Sequence, residues 1–393
     1  MSWDTIESDP GIFSTLLEDM GVRGVEVNEV IDLDALPPSC LGLLFLFQYS
    51  GSSKSPPSHL LRPVPAGSPT PWFARQTVQN ACGTQALLHI LLNNAASSGC
   101  LTLGETLTTF LGFTDGLPAA DRGGCFEQCD AIRKAHNSFA RPEPFIREEK
   151  VARPWERGKA PFHFLAYTAC GGVAYELDGL APSPACLGAP PEGAAAAAAG
   201  GGWLALARAA VQARIATSTE IRFSLLAVVE DARVGIARQA AVSVRALERQ
   251  YGLLLSLGTE VDSPEDILKR TGLWPLPGEG VVPTPAQAAA EAAAEAAEEA
   301  LDAAGLQAEY GATEAALEQC SLGAAAEREK RGQWERENAQ RRHNFVPLIM
   351  GLLAGLAERG LLEAEYAKAR ERFKGRVERA RREGRDVMDE DET

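Results

Sequence analysis

A chain of 393 residues, 45% hydrophobic and 23% charged, has the length for one large core and a second unit beside it. Its net charge of −15 argues against nucleic acid as the main ligand. No run of about 18 apolar residues occurs, so no membrane span is expected.

The opening, MSWDTIESDP, is acidic and carries no apolar signal core, so export is not expected and a cytoplasmic or nuclear protein follows. The first helix is announced by Asp9 at the N-cap, Pro10 at the first helical position and Gly21 as a stop. Residues 41–47, LGLLFLF, read as a short apolar strand, and 51–71, rich in Gly, Ser and Pro, as an exposed loop. Helix signal resumes after Asn80, a good N-cap residue, and strands are predicted at 162–168, 173–178 and 221–229. GAPPEGAAAAAAGGG at 188–202 reads as a surface insertion. Helices and strands therefore mix in one α/β unit over 1–232.

Beyond it the pattern is helical throughout. Residues 233–258 and 263–273 read as helices, the second opened by Ser263-Pro264. The Ala/Glu-rich stretch 286–305 has strong helix formers and little to bury, as a solvated spacer would. We divide this region into a helical linker, 233–323, and a C-terminal helical region, 324–393. In the latter, Phe345, Leu348, Ile349, Leu352, Leu353 and Leu356 share an apolar face that needs cover. It can fold back on the helix at 233–258 or receive a partner, and Pro347 predicts a kink or a helix start.

The eight cysteines, at 40, 82, 100, 125, 129, 170, 186 and 320, are scattered and read as free thiols. Cys125, Cys129 and His136 give only three neighbouring ligands where structural zinc takes four, so no metal is expected. Cys82 is different. It falls in the first turn of the helix opened after Asn80, where orphan N–H groups and the positive end of the helix dipole favour a thiolate.

A nucleophilic thiol needs a base. His89 lies seven residues on, about 10 Å up the same helix, and is out of reach. In FHFLAYTACGGVAYELDGL, 162–180, two strands flank a turn at Gly171-Gly172. With that turn His163 faces Leu180 and sits diagonal to Asp178; a shift of one residue puts His163 and Asp178 directly opposite. Either register places imidazole and carboxylate on one face, as a general base and its orienting acid require. The Cys82 N–H and the Gln76 side-chain amide are candidate oxyanion donors.

Together these residues resemble the ubiquitin C-terminal hydrolase family. FARQTVQNACGTQA (73–86) is similar to its nucleophile segment and HFLAYTACGGVAYELDG (163–179) to its histidine–aspartate segment. The resemblance implies Cys82 as nucleophile, His163 as general base and acid, Asp178 as the residue that orients His163, and Gln76 as oxyanion stabiliser, with no cofactor and no metal. IESDPGIF, HNSFAR, EIRFSLLAVVED and RRHNFVPLIMGLLAGLAERGLL resemble segments of the long, proteasome-associated subfamily. The implied fold is papain-like, a mostly antiparallel central sheet flanked by helices, with a crossover loop near 142–160 and a C-terminal α-helical region. The implied activity is thiol-dependent deubiquitination, hydrolysing ester, thioester, amide and isopeptide bonds at ubiquitin's C-terminal glycine. The implied partners are ubiquitin and its conjugates, a ubiquitin receptor of the proteasome regulatory particle bound by the C-terminal helices, and a nuclear chromatin-remodelling complex. The alternative is a ubiquitin-binding scaffold with little activity of its own.

Overall fold

The structure is a computed structural model, and it describes residues 2–37, 39–48, 58–140, 162–190, 202–217, 223–273 and 285–382. The crossover segment expected at 142–160 lies outside the described residues, as do 51–57 of the first loop and 191–201 of the insertion.

The chain begins with helix α1 (Pro10–Asp19), where Asp9 accepts a hydrogen bond from the Ile12 amide at 3.0 Å, the cap the sequence predicts. Strands β1 (Val25–Glu29) and β2 (Gly42–Gln48) precede helices α2 (Cys82–Asn94), α3 (Gly104–Thr114), α4 (Ala119–Gln128) and α5 (Asp130–Asn137). Strands β3 (Phe162–Cys170), β4 (Val173–Leu177) and β5 (Ala185–Gly188) follow, then helix α6 (Gly202–Thr217) and strand β6 (Phe223–Glu230). These six strands form one sheet in the order β1-β6-β2-β3-β4-β5, every neighbouring pair antiparallel. Neither β1 nor β5 is among the expected strands; both are short edge strands with little apolar signal of their own.

β2 explains the layering. It lies between β6 and β3, and a core packs on each face of the sheet there, so its sequence is a continuous apolar run. Leu44 points into a core shared with α1, α2 and Phe164, whereas Leu43, Phe45 and Phe47 point into a second core under α6. The β3–β4 hairpin turns at Gly171 (φ 56°) and Gly172 (φ 79°), left-handed conformations that glycine adopts without strain. Cys170 pairs with Val173, so the unshifted register is the one adopted.

The remaining helices are α7 (Ala232–Ser256), α8 (Pro264–Thr271), α9 (Pro285–Glu298), α10 (Ala303–Arg342), α11 (Val346–Glu358) and α12 (Leu362–Arg382). α7, α8 and the first half of α10 enclose a third core around Val244, Leu247, Ile267, Leu306 and Leu317. α10 is a single helix of 40 residues that runs through the boundary drawn at 323/324. The Ala/Glu-rich segment is largely solvated, as expected, but it is also anchored: Glu291 and Glu298 pair with Arg245 and Arg249 of α7, each at 2.7 Å, so charge holds a helix that apolar area could not. Of the two readings left open for the apolar face of α11, folding back on α7 is not the one adopted, and α10 packs on α7 instead. Leu348 is 58% and Leu352 62% exposed. Pro347 sits in the first turn of α11, as a helix start allows.

Candidate active site

Cys82 is the first residue of α2 and is half-buried. The expected cap is not there. Asn80 has φ 70°, a left-handed conformation that asparagine tolerates, and its side chain donates to the Trp3 carbonyl at 3.2 Å instead. Ala81 is the N-cap residue and contributes no side-chain hydrogen bond. The reason is tertiary: with φ positive, Asn80 turns away from the helix and its amide is engaged by the distant Trp3 carbonyl, which ties down the N-terminal segment. The consequence is chemical. No side chain caps this terminus, so its N–H donors and dipole stay available to a group bound beside Cys82.

His163 reaches the site from β3, where it pairs with Phe47 of β2. Its Nε2 lies 2.7 Å from Asp178 Oδ1, and both side chains are almost fully buried. Asp178 stands just past the end of β4 and also accepts from the Leu180 amide at 2.9 Å. Burial disfavours a charged His163, but hydrogen bonds to Asp178 and Cys82, with their charges, outweigh it and raise the imidazole pKa to about 9. Burial likewise opposes the Asp178 carboxylate, and the hydrogen bond and charge of His163 overcome it, holding the group below its ordinary value. Behind the pair, Arg214 of α6 makes a buried bidentate ion pair with Glu176 and lies over the Phe47 ring, 5.4 Å from its centroid. No sequence pattern singled out Arg214, since only the packing of α6 on the sheet brings it there.

Gln76 lies in the same cleft. Its amide donates to the Val78 carbonyl at 3.0 Å, and its backbone N–H donates to the Gly179 carbonyl at 2.8 Å, which ties the Gln76 loop to the segment that carries Asp178. A primary amide has two N–H donors, so one orients the group and the other can serve a reacting oxygen. Thr5, Ile6, Ser8, Leu46 and Leu180 complete a cleft of about 550 Å³ around Gln76, Cys82 and His163. Gly83, next to Cys82, is tightly enclosed: a Cβ would stand 3.0 Å from Phe13 and 3.1 Å from Phe164.

The other candidates stay apart. His89 is buried beside Phe73, its Nε2 accepts from the Ala74 amide at 3.2 Å, and burial lowers its pKa to about 4. Both ring nitrogens of His136 are engaged, one by the Thr84 hydroxyl and one by the Asp4 carbonyl, each at 2.7 Å. All eight cysteines are free thiols, and burial pushes Cys40 up to about 12, far from reactive.

A half-buried thiol at an uncapped helix N-terminus, an imidazole held by a carboxylate and an amide beside them can perform acyl transfer through a thioester. The family model for ubiquitin carboxyl-terminal hydrolase, family 1, matches residues 3–216, and a second, for ubiquitin carboxyl-terminal hydrolases, matches 319–362. The chain belongs to the ubiquitin C-terminal hydrolase family. It is a cysteine-type ubiquitin C-terminal hydrolase, and hence a deubiquitinase. It is 30% identical over 380 residues to ubiquitin carboxyl-terminal hydrolase isozyme L5 of Dictyostelium discoideum, covering 94% of this chain and 96% of that one. Ubiquitin carboxyl-terminal hydrolase 2 of Schizosaccharomyces pombe is 38% identical, with 60% of this chain and 75% of that one covered. A crystal structure of Trichinella spiralis UCH37 bound to ubiquitin vinyl methyl ester aligns at 31% identity, with a TM-score of 0.47, over 61% of this chain and 87% of that one.

Proposed function

We propose that Cys82 is the nucleophile of a deubiquitinase that hydrolyses ester, thioester, amide and isopeptide bonds at the C-terminal glycine of ubiquitin. The observation that carries this is the His163–Asp178 hydrogen bond of 2.7 Å in the cleft that also holds Cys82. The raised pKa of His163 keeps the imidazolium available near neutral pH to protonate a leaving group. The Cys82 thiolate attacks the glycine carbonyl, and the oxyanion takes hydrogen bonds from Gln76 and the Cys82 N–H. The C–N bond breaks as His163 gives its proton to the leaving amine, and a thioester remains. His163, now neutral, takes a proton from water, which attacks the thioester; the C–S bond breaks, the thiolate leaves beside the reprotonated His163, and the released carboxylic acid gives its proton to solvent. Asp178 holds the ring and stabilises its charged form throughout.

Residues 1–232 form the catalytic unit in this reading, and the helices beyond it are a helical linker and a partner-binding region. The exposed apolar face of α11 supports a helix-in-groove contact with a ubiquitin receptor of the proteasome regulatory particle, or with a chromatin-remodelling complex in the nucleus. The enzyme would then work in ubiquitin-dependent protein catabolism, in cytoplasm and nucleus. Identity along nearly the full length of a relative named isozyme L5 supports keeping the C-terminal helices in the same assignment.

The test is labelling with ubiquitin bearing a C-terminal electrophile, on wild type and Cys82→Ala in parallel. A covalent adduct on wild type that vanishes in Cys82→Ala is the expected result. No adduct on wild type, even with a proteasome fraction added, would favour a ubiquitin-binding scaffold.

A further inference from the structure

One wall of the catalytic cleft is not part of the sheet or of α2. Thr5, Ile6 and Ser8, from the segment before α1 that forms neither helix nor strand, line the cleft together with His163. Such a segment has no ladder or helix of its own to hold it, so beyond the packing of Ile6 on the core and the ion pair of Glu7 with Arg341 its position depends on its two ends. The first end is tied to the catalytic unit: Asn80 donates to the Trp3 carbonyl at 3.2 Å, and His136 donates to the Asp4 carbonyl at 2.7 Å. The second end is the start of α1, and there the contacts come from far along the chain.

The second half of α10 lies along α1. Asn338, only 3% exposed, donates to the Gly11 carbonyl at 3.1 Å and to the Thr15 hydroxyl at 2.8 Å. The Trp334 ring lies so close to Gly11 that a Cβ there would stand 2.7 Å from two of its atoms. Arg341 donates to Asp9 at 3.2 Å, the same carboxylate that caps α1. A buried asparagine with both contacts on one turn and a tryptophan flat on a glycine define one docking position, not a sliding surface. From α1 the contact continues to the reacting group, because Phe13 packs edge-on against Phe164 at 5.6 Å and both bracket Gly83 beside Cys82.

We infer that Trp334, Asn338 and Arg341 of α10 are positioning residues for substrate, holding residues 5–8 as the cleft wall that receives the ubiquitin tail. The C-terminal extension then shapes the substrate site through α1. This rests on the deubiquitinase reading above, and it goes further by giving α10 a role in ubiquitin affinity.

The experiment uses the full chain, as wild type, Trp334→Ala/Asn338→Ala and Gly11→Ala. The third variant wedges the same contact open from the catalytic side and leaves α10 unaltered. For hydrolysis of a ubiquitin C-terminal fluorogenic amide, both variants should raise KM at least about fivefold, the low end of coupling between linked sites, with kcat held within about twofold. Alkylation of Cys82 by iodoacetamide should keep its wild-type rate, and amide hydrogen exchange should rise in residues 5–15. An unchanged KM, or a fall in kcat with KM constant, would overturn the inference. A wild-type enzyme without turnover would refute the deubiquitinase reading itself. Exchange would then decide positioning alone, with unchanged protection of residues 5–15 in both variants overturning it.

Discussion

The imidazole of His163 has two opposing influences acting on it, and their balance sets the pH range of the enzyme. Burial would keep it neutral, yet the neighbouring Asp178 and Cys82 raise its pKa to about 9. Leaving-amine protonation needs the imidazolium, so kcat/KM should fall as pH rises through about 9, where that proton is lost. A pH–rate profile with a ubiquitin C-terminal amide checks this, and Asp178→Asn should move the alkaline limb to lower pH while cutting kcat by roughly 10²–10⁴-fold. An alkaline limb that stays in place in Asp178→Asn would exclude Asp178 as the group that sustains the charge. The same shift acts on folding. A raised folded pKa adds stability that is complete below the unfolded value, about 6.5, and disappears as pH climbs through about 9. At this scale much was legible beforehand. Cys82, His163, Asp178 and Gln76 carry their chemistry in residue type and spacing, whereas Arg214, over the Phe47 ring, depends on how α6 packs on the sheet.

Elements followed the sequence where local signals agreed with tertiary demand. α1 opens at Asp9-Pro10 and the β3–β4 hairpin turns at its two glycines, since capping and turn geometry are properties of a few adjacent residues. At α2 local and tertiary demands part: Asn80 has the right side chain for a cap but is held at positive φ, with its amide engaged by Trp3. α11 shows the converse, a clear apolar pattern without cover among the described residues. Leu352→Asp should therefore change the stability of the isolated chain by no more than about 0.5 kcal/mol, as for surface positions generally. On the partner reading proposed above, binding to a proteasome regulatory particle should be lost in the same variant. A melting shift of many degrees, or binding at wild-type strength, would show that this face serves packing within the chain.

Across the whole molecule, the catalytic unit and the helical extension are joined by charge as well as by the Trp334 and Asn338 contacts. Arg331 of α10 pairs with Glu18 at 2.6 Å, Glu26 at 3.0 Å and Asp231 at 3.1 Å. Glu26 and Asp231 are 1% and 3% exposed, so both need cations beside them. Lys330 also serves Glu26 and Arg233 also serves Asp231, which softens the loss of any one partner. Arg331→Ala should therefore cost about 1–3 kcal/mol rather than the full penalty of an isolated buried charge. Denaturant unfolding followed at Trp334 would measure it, and an unchanged midpoint would show that the network contributes nothing net.

What the sequence determined by itself was the chemistry and the local geometry: a thiol at a helix start, a hairpin that aligns imidazole with carboxylate, and a helical second half. These rest on residue type, period and turn preference, which act over a few neighbours. Tertiary structure alone decided which helix covers α7, that the Ala/Glu-rich segment is anchored by arginines, and that α10 reaches back to α1. Gly11 and Asn338 are 327 residues apart in the chain, and only the folded chain brings them into hydrogen-bonding distance.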